Sequence, residues 1–175
     1  MSELIVDGTL VIPQAEVAIL EDSAKNHLAE QVSAGLALHY DTMLQYDPKD
    51  ILGIISEGRA VIGIDPHGKQ LKSFAQISPW ISEAGSVGAV EFRSWLSLSS
   101  GAGIPVLLGA VALSRIRYPE VDLYAVVEAN NTHAQKKIRQ AGGIETPMPK
   151  AIQIELKAGE KPAPVIAFSL GEILA

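Results

Sequence analysis

The chain has 175 residues, 47% of them hydrophobic and 19% charged, which is enough for one domain with a sizeable core. Its formal charge of −6 speaks against nucleic acid as a partner, and the lack of cysteine excludes disulfides, thiolate metal ligands and a Cys nucleophile. The N-terminal MSELIVDGTL carries acids and lacks a basic-then-apolar leader pattern, and no apolar run is long enough to span a membrane; a cytoplasmic protein is expected.

In chain order, LIVDGTLVI holds an Asp7-Gly8 pair between apolar runs, the signature of a hairpin, and residues 1–14 are read as an N-terminal extension. Residues 15–20, AEVAIL, read as a short strand that opens the main domain, 15–175. Ala24, Leu28, Val32 and Leu36 recur every four residues and mark one face of a helix, with Asp22 or Ser23 as its cap. DPKDILGIISEG predicts a second helix, capped by Asp47, with Pro48 in its first position and Gly58 after its end.

The period then changes. RAVIGI and KQLKSFAQIS flank DPHG (65–68), a turn pattern that predicts a hairpin. A long strand follows SEAG over 85–99, then a small-residue loop and an apolar helix, PVLLGAVALSRIR. VDLYAVVEA reads as a buried strand. NNTHAQKKIRQAGG reads as a compact helix, with Asn131 as cap and Ala134 and Ile138 on its buried stripe. AIQIELKA and APVIAFSL predict two closing strands. Hairpins around one strand–helix–strand crossover imply an α/β (α+β) domain with a mixed, mainly antiparallel sheet flanked by helices.

Ser100, Gly101, Ala102 and Gly103 leave backbone N–H groups open to close approach at a helix start, where the dipole favours an anion. The same pattern also serves as a plain tight turn. No Lys-Ser/Thr follows, so it is not a Walker loop, and Val106 in the sixth position from Gly101 rules out a dinucleotide fingerprint.

With Asn131, Ala134 and Gly142 at offsets of zero, three and eleven, this loop and the element order resemble the GNAT superfamily of acyl-CoA-dependent N-acetyltransferases. The family's Arg/Gln-x-x-Gly-x-Gly/Ala loop falls on residues 100–105, and its Asn-x-x-Ala-x-x-x-Tyr-x-x-x-Gly-Phe segment starts at Asn131. Four positions depart from it: Ser100 for Arg or Gln, Pro105 for the last small residue, Ile138 for Tyr, and Gly143 for the aromatic residue.

The resemblance implies acetyl-CoA as co-substrate. Trp95, Leu96 and Ser97 would lie along the pantetheine arm, and Ser100, Gly101, Ala102, Gly103 and Ile104 around the pyrophosphate, with Asn131 and Ala134 beside them. Acyl transfer to an amine needs a base, for which Glu91 on the strand leading to the loop is the best-placed candidate and Glu128 the second. Tyr124 stands in as proton donor for the missing helix Tyr. The four histidines lack metal-pair spacing, so no metal is expected, and Trp80 and Trp95 read as core or sheet-face residues.

The expected partners are a small-molecule or protein amine acceptor and a second copy of the chain, with neither nucleic acid nor membrane. The acidic balance favours a cationic acceptor. A second function fits the same residues: a catalytically reduced GNAT-like domain that binds a ligand or partner and transfers nothing.

Overall fold

One mixed sheet, flanked by helices on both faces, organises the chain. The computed structural model describes residues 4–6, 9–12, 17, 20–39, 43–67, 70–153 and 163–173. The strands are β1 (Leu4–Val6), β2 (Thr9–Ile12), β3 (Ala60–Ile64), β4 (Leu71–Ile81), β5 (Val87–Ser97), β6 (Leu123–Glu128), β7 (Ile144–Thr146) and β8 (Val165–Ser169). The helices are α1 (Asp22–Ala37), α2 (Pro48–Ser56), α3 (Gly103–Arg117) and α4 (Thr132–Gln140). The sheet runs β1-β2-β3-β4-β5-β6-β8-β7, and every neighbouring pair is antiparallel except β5 and β6. That single parallel pair follows from α3, because a helical crossover returns the chain in the same direction.

The hairpin expected at the N-terminus is present as β1 and β2, with Val6 opposite Thr9, while its Asp7-Gly8 turn lies outside the described residues. β2 also pairs with β3, so the hairpin continues the main sheet. The strand expected at 15–20 is corrected. Most of it lies outside the described residues, but Val17 is helical and buried, and its carbonyl accepts from the N–H of Leu20.

In α1, Leu28, Val32 and Leu36 are buried as the four-residue spacing requires. Asp22 and Ser23 lie inside the helix and do not cap it; the extended Glu21 precedes the helix, and its backbone carbonyl takes the N–H groups of Ala24 and Lys25. Asp47 does cap α2, accepting from the N–H of Asp50 at 2.9 Å. The strand expected over 151–158 is not formed at 151–153, and the rest lies outside the described residues. β7, too short to show a period, was not expected and pairs with β8.

Two apolar clusters lie on opposite faces of the sheet. Val61, Ala75, Ile77, Val90 and Phe92 pack with α3 and with Ile138 of α4. Ala60, Ile62, Phe74 and Leu96 pack with α1 and α2. Pro79 sits well inside β4, a position normally closed to proline. The N–H of Ile77 reaches back to the carbonyl of Arg59, and the nitrogen two residues on faces the same side, where β3 has already ended. Among the described residues Pro79 therefore removes no ladder bond, and a cavity lies beside it.

Candidate functional site

The site is set by a break in β5. Between Gln76↔Arg93 and Phe74↔Leu96, β5 has one residue too many, and Ser94 takes up the bulge with φ 53°, a left-handed conformation that is uncommon outside glycine. The extra residue turns Trp95 to the same face as Phe92, three positions earlier, and the two rings meet edge to face at 5.4 Å. Strict alternation along the strand puts these two rings on opposite faces.

Trp95 then meets the glycine loop. Its indole N–H donates to the carbonyl of Gly103 at 2.9 Å, and a Cβ added at Gly103 would lie 3.1–3.2 Å from the indole ring. Gly103 is therefore small because Trp95 packs against it. Gly101 is a different case, since its φ of 82° demands glycine for the turn itself. Ser99, Ser100 and Gly101 are exposed, whereas Ala102, Gly103 and Pro105 are buried and Ile104 half-buried. No acid stands in the first turn of α3 and no side chain caps it, so the positive end of its dipole faces the exposed loop.

Beside the loop the sheet opens. β5 and β6 pair only at Val90–Leu123, Glu91–Tyr124 and Phe92–Ala125. Beyond Phe92, β5 keeps β4 on one edge up to Ser97, and β6 keeps β8 on its far edge up to Glu128. The facing edges of β5 and β6 have parted, and backbone groups along such a gap are available to a bound chain.

The opposite face of β5 carries charged side chains. Glu91 and Tyr124 are directly paired and, by alternation with Phe92 and Ala125, share the α1/α2 face. Glu91 is buried; its Oε2 accepts from the Trp80 indole at 2.8 Å and lies 3.5 Å from the Arg93 guanidinium. Arg93 also lies over the Trp80 ring, 5.8 Å from its centroid. Gln76, opposite Arg93, donates to the Ser94 hydroxyl at 2.9 Å. The Tyr124 hydroxyl makes a long bond of 3.4 Å to Asp122, and burial, with the Asp122 carboxylate beside it, raises the phenol above its ordinary range. Glu128 is exposed at the far end of β6, opposite Val165.

A cavity of about 560 Å³ lies between α2 and this face, lined by Tyr46, Ile54, Glu57, Arg59, Gln76 and Arg93 among others. A smaller one of about 340 Å³ adjoins it at Pro79 and Trp80, sharing Glu57, Arg59, Ser78 and Arg93. Sequence reasoning missed this wall. Arg93 was findable from its spacing of two from Glu91, but Arg59 and Trp80 arrive through topology alone.

Asn131 caps α4 as expected, accepting from the N–H of Ala134 at 3.1 Å. The buried partner of Ile138 is Gln135, while Ala134 is only half-buried. Gln135 is held inward by bonds from its side-chain amide to the carbonyls of Glu128 and Ala129. Ile138 and Gly143 are explained together: a Cβ at Gly143 would lie 2.4 Å from Ile138 Cγ2, so the fully buried Ile138 requires glycine there. Among the described residues no group of three or more His, Cys, Asp or Glu could hold a metal ion, and no helix is long and apolar enough to cross a membrane.

The sequence matches no family model and no curated protein. Solved structures do match. A protein from Salmonella typhimurium, described as an acetyltransferase and solved with its cofactor acetyl-CoA, aligns with a TM-score of 0.63 at 16% identity over 93% of this chain and 92% of its own. A GNAT-family acetyltransferase from Bacillus anthracis gives 0.59 at 11% identity, covering 95% of this chain and 96% of that one. An acyl-CoA N-acyltransferase from Pseudomonas aeruginosa gives 0.54 at 14% identity, covering 91% and 95%. At such identities the likeness speaks for architecture, and it is architecture along nearly the whole length: this chain has the fold of the GNAT acetyltransferases.

Proposed function

We propose that the protein is an acyl-CoA-dependent N-acetyltransferase. One observation carries this reading: β5 and β6 part after Phe92, and the gap leads onto the small-residue loop at the head of α3. The similar Salmonella typhimurium protein was solved with acetyl-CoA. The residues present fit that co-substrate, because the loop is exposed at Ser99, Ser100 and Gly101, free of acids and backed by a fifteen-residue helix. Bound there, acetyl-CoA supplies the acyl thioester.

The β5 edge at Trp95, Leu96 and Ser97 offers backbone donors and acceptors to an extended, amide-bearing arm. N–H groups of Gly103 and Ile104, at the positive end of α3, would hold the pyrophosphate. Ser100 adds a hydroxyl but no charge, and Pro105 adds no donor. Ala102 packs inward; Asn131 and Ala134, joined by the cap bond of α4, would close the far side of the bound co-substrate.

The acceptor amine comes from the cavity side. Glu91, held in place by Trp80 and Arg93, takes the amine proton directly or through water, with Glu128 at the open end as the alternative base. As the nitrogen–carbon bond forms and the carbon–sulfur bond breaks, the sulfur needs a proton. Tyr124, whose phenol is protonated at neutral pH, is the donor on this face. The buried Ile138 favours the second reading, a binding module without turnover, since it leaves α4 no hydroxyl at the family's Tyr position.

Free-thiol release from acetyl-CoA across a panel of amines separates the two. Amine-dependent release supports the enzyme; ligand-induced stabilisation without release from any amine leaves the binding module.

A further inference from the structure

We infer that the acceptor amine also carries a carboxylate, and that Arg59 receives it. The inference rests on the acyl-transfer reading above and names the substrate class of the same site.

The Arg59–Glu57 pair is lopsided. The Arg59 side chain is 22% exposed and faces the cavity, whereas that of its partner Glu57 is 61% exposed. Nε and Nη2 of Arg59 both address one oxygen of that carboxylate, at 2.7 and 2.6 Å. A largely desolvated guanidinium held by a solvated carboxylate is a poor bargain for stability, because water and salt screen the pair. It suits a site where the carboxylate is exchangeable. Glu57 then stands in for a ligand carboxylate, marking where one docks against the planar guanidinium fork.

The rest of the wall agrees. Arg93, with a side chain only 12% exposed, lines the same cavity while it holds the equally buried Glu91. Gln76 and Ser78 add polar side chains between them. The remaining charges on the cavity, Lys49 and Asp50, are both exposed at its rim and of opposite sign. Lys49, Arg59 and Arg93 thus stand against Asp50 and Glu57 on the cavity wall, and the cations that are half-buried rather than exposed are Arg59 and Arg93. The chain's overall −6 points to a cationic acceptor, but the site is decided by its own wall, which keeps an excess of one positive charge and offers an anion the Arg59 fork once the exposed Glu57 carboxylate moves aside. A cavity of this size takes a small molecule.

The test pairs each amino acid with the amine left by its decarboxylation: phenylalanine with phenethylamine, leucine with isoamylamine. Thiol release from acetyl-CoA is read for each, as is the melting temperature of the CoA-loaded protein. The amino acid of each pair is expected to be the better acceptor and the better stabiliser. Arg59→Gln should lower kcat/KM for the amino acid roughly ten-fold more than for its partner. Glu57→Gln, which frees Arg59, should raise it about three-fold. A purely structural salt bridge moves both variants in the same direction, so opposite signs are the signature. Preference for the decarboxylated amines, or amino acids that neither turn over nor stabilise the CoA-loaded protein, overturns the inference while acetyl-CoA still binds. Failure of acetyl-CoA to bind the wild type instead removes the acyl-transfer reading beneath it.

Discussion

The two faces of β5 work by different means. Toward α3, the strand offers Phe92 and Trp95, and beyond them a loop whose chemistry lies in backbone N–H groups. Toward α1 and α2 it offers Glu91 and Arg93, whose chemistry lies in side chains held by Trp80 and by each other. The bulge at Ser94 joins the two, keeping Gln76 bonded on one face while it turns Trp95 to the other. A phosphate-bearing ligand needs only an open loop and a dipole, whereas an acceptor needs placed charges. Substitutions should therefore divide by face.

The largest effect belongs to the charged face. Glu91→Gln removes the carboxylate charge beside Arg93, at a cost of about 3 kcal/mol in denaturant unfolding. It should also lower kcat by about a hundred-fold or more if Glu91 is the base. Acetyl-CoA affinity should stay within a factor of about two, and a ten-fold loss would break the division between faces. Tyr124→Phe should lower kcat about a hundred-fold without changing acetyl-CoA affinity. Its titration is a second check. An unfolded tyrosine ionises near pH 10, while folded Tyr124 holds its proton longer. Its contribution to stability is thus whole below that pH and is lost as pH rises through the raised folded value. A component of the tyrosinate absorbance that ionises above the ordinary tyrosine range should vanish in Tyr124→Phe.

On the backbone face, Gly103→Val drives a side chain into the Trp95 ring and should cost about 1–3 kcal/mol as well as the response to acetyl-CoA. Normal stability with lost binding would mean that Trp95 yields easily. Asn131→Ala should lower stability by about 1 kcal/mol through loss of the α4 cap. The smallest effect is expected from Ser100→Arg, which adds a cation beside the exposed loop and should tighten acetyl-CoA binding about three-fold by calorimetry.

These faces were unequally legible in the sequence. The loop, the caps at Asp47 and Asn131, and the hairpin–crossover order follow from local chemistry, which a sequence displays directly. The strand expected at 15–20 failed because a short apolar run has no period to tell strand from helix. Asp22 and Ser23 failed as caps because the Glu21 carbonyl already holds the nearby N–H groups. Glu91 was visible as a lone acid on a strand, but its pairing with Trp80 across the sheet depends on register. Arg59 sits eighteen residues before Ile77, to which it bonds, and only the β3–β4 pairing delivers it to the cavity. Gly103 was read as making room for a ligand, yet it makes room for Trp95, which the bulge had hidden.

Thermal unfolding of the wild type with and without acetyl-CoA tests the central claim most directly. At a hundred-fold excess over Kd, ligand linkage contributes about 2.7 kcal/mol, which for a chain of this size raises Tm by about 5–10 °C. A saturable rise of that order, absent with pantetheine alone, is the expected result. An unchanged Tm at millimolar acetyl-CoA would contradict it.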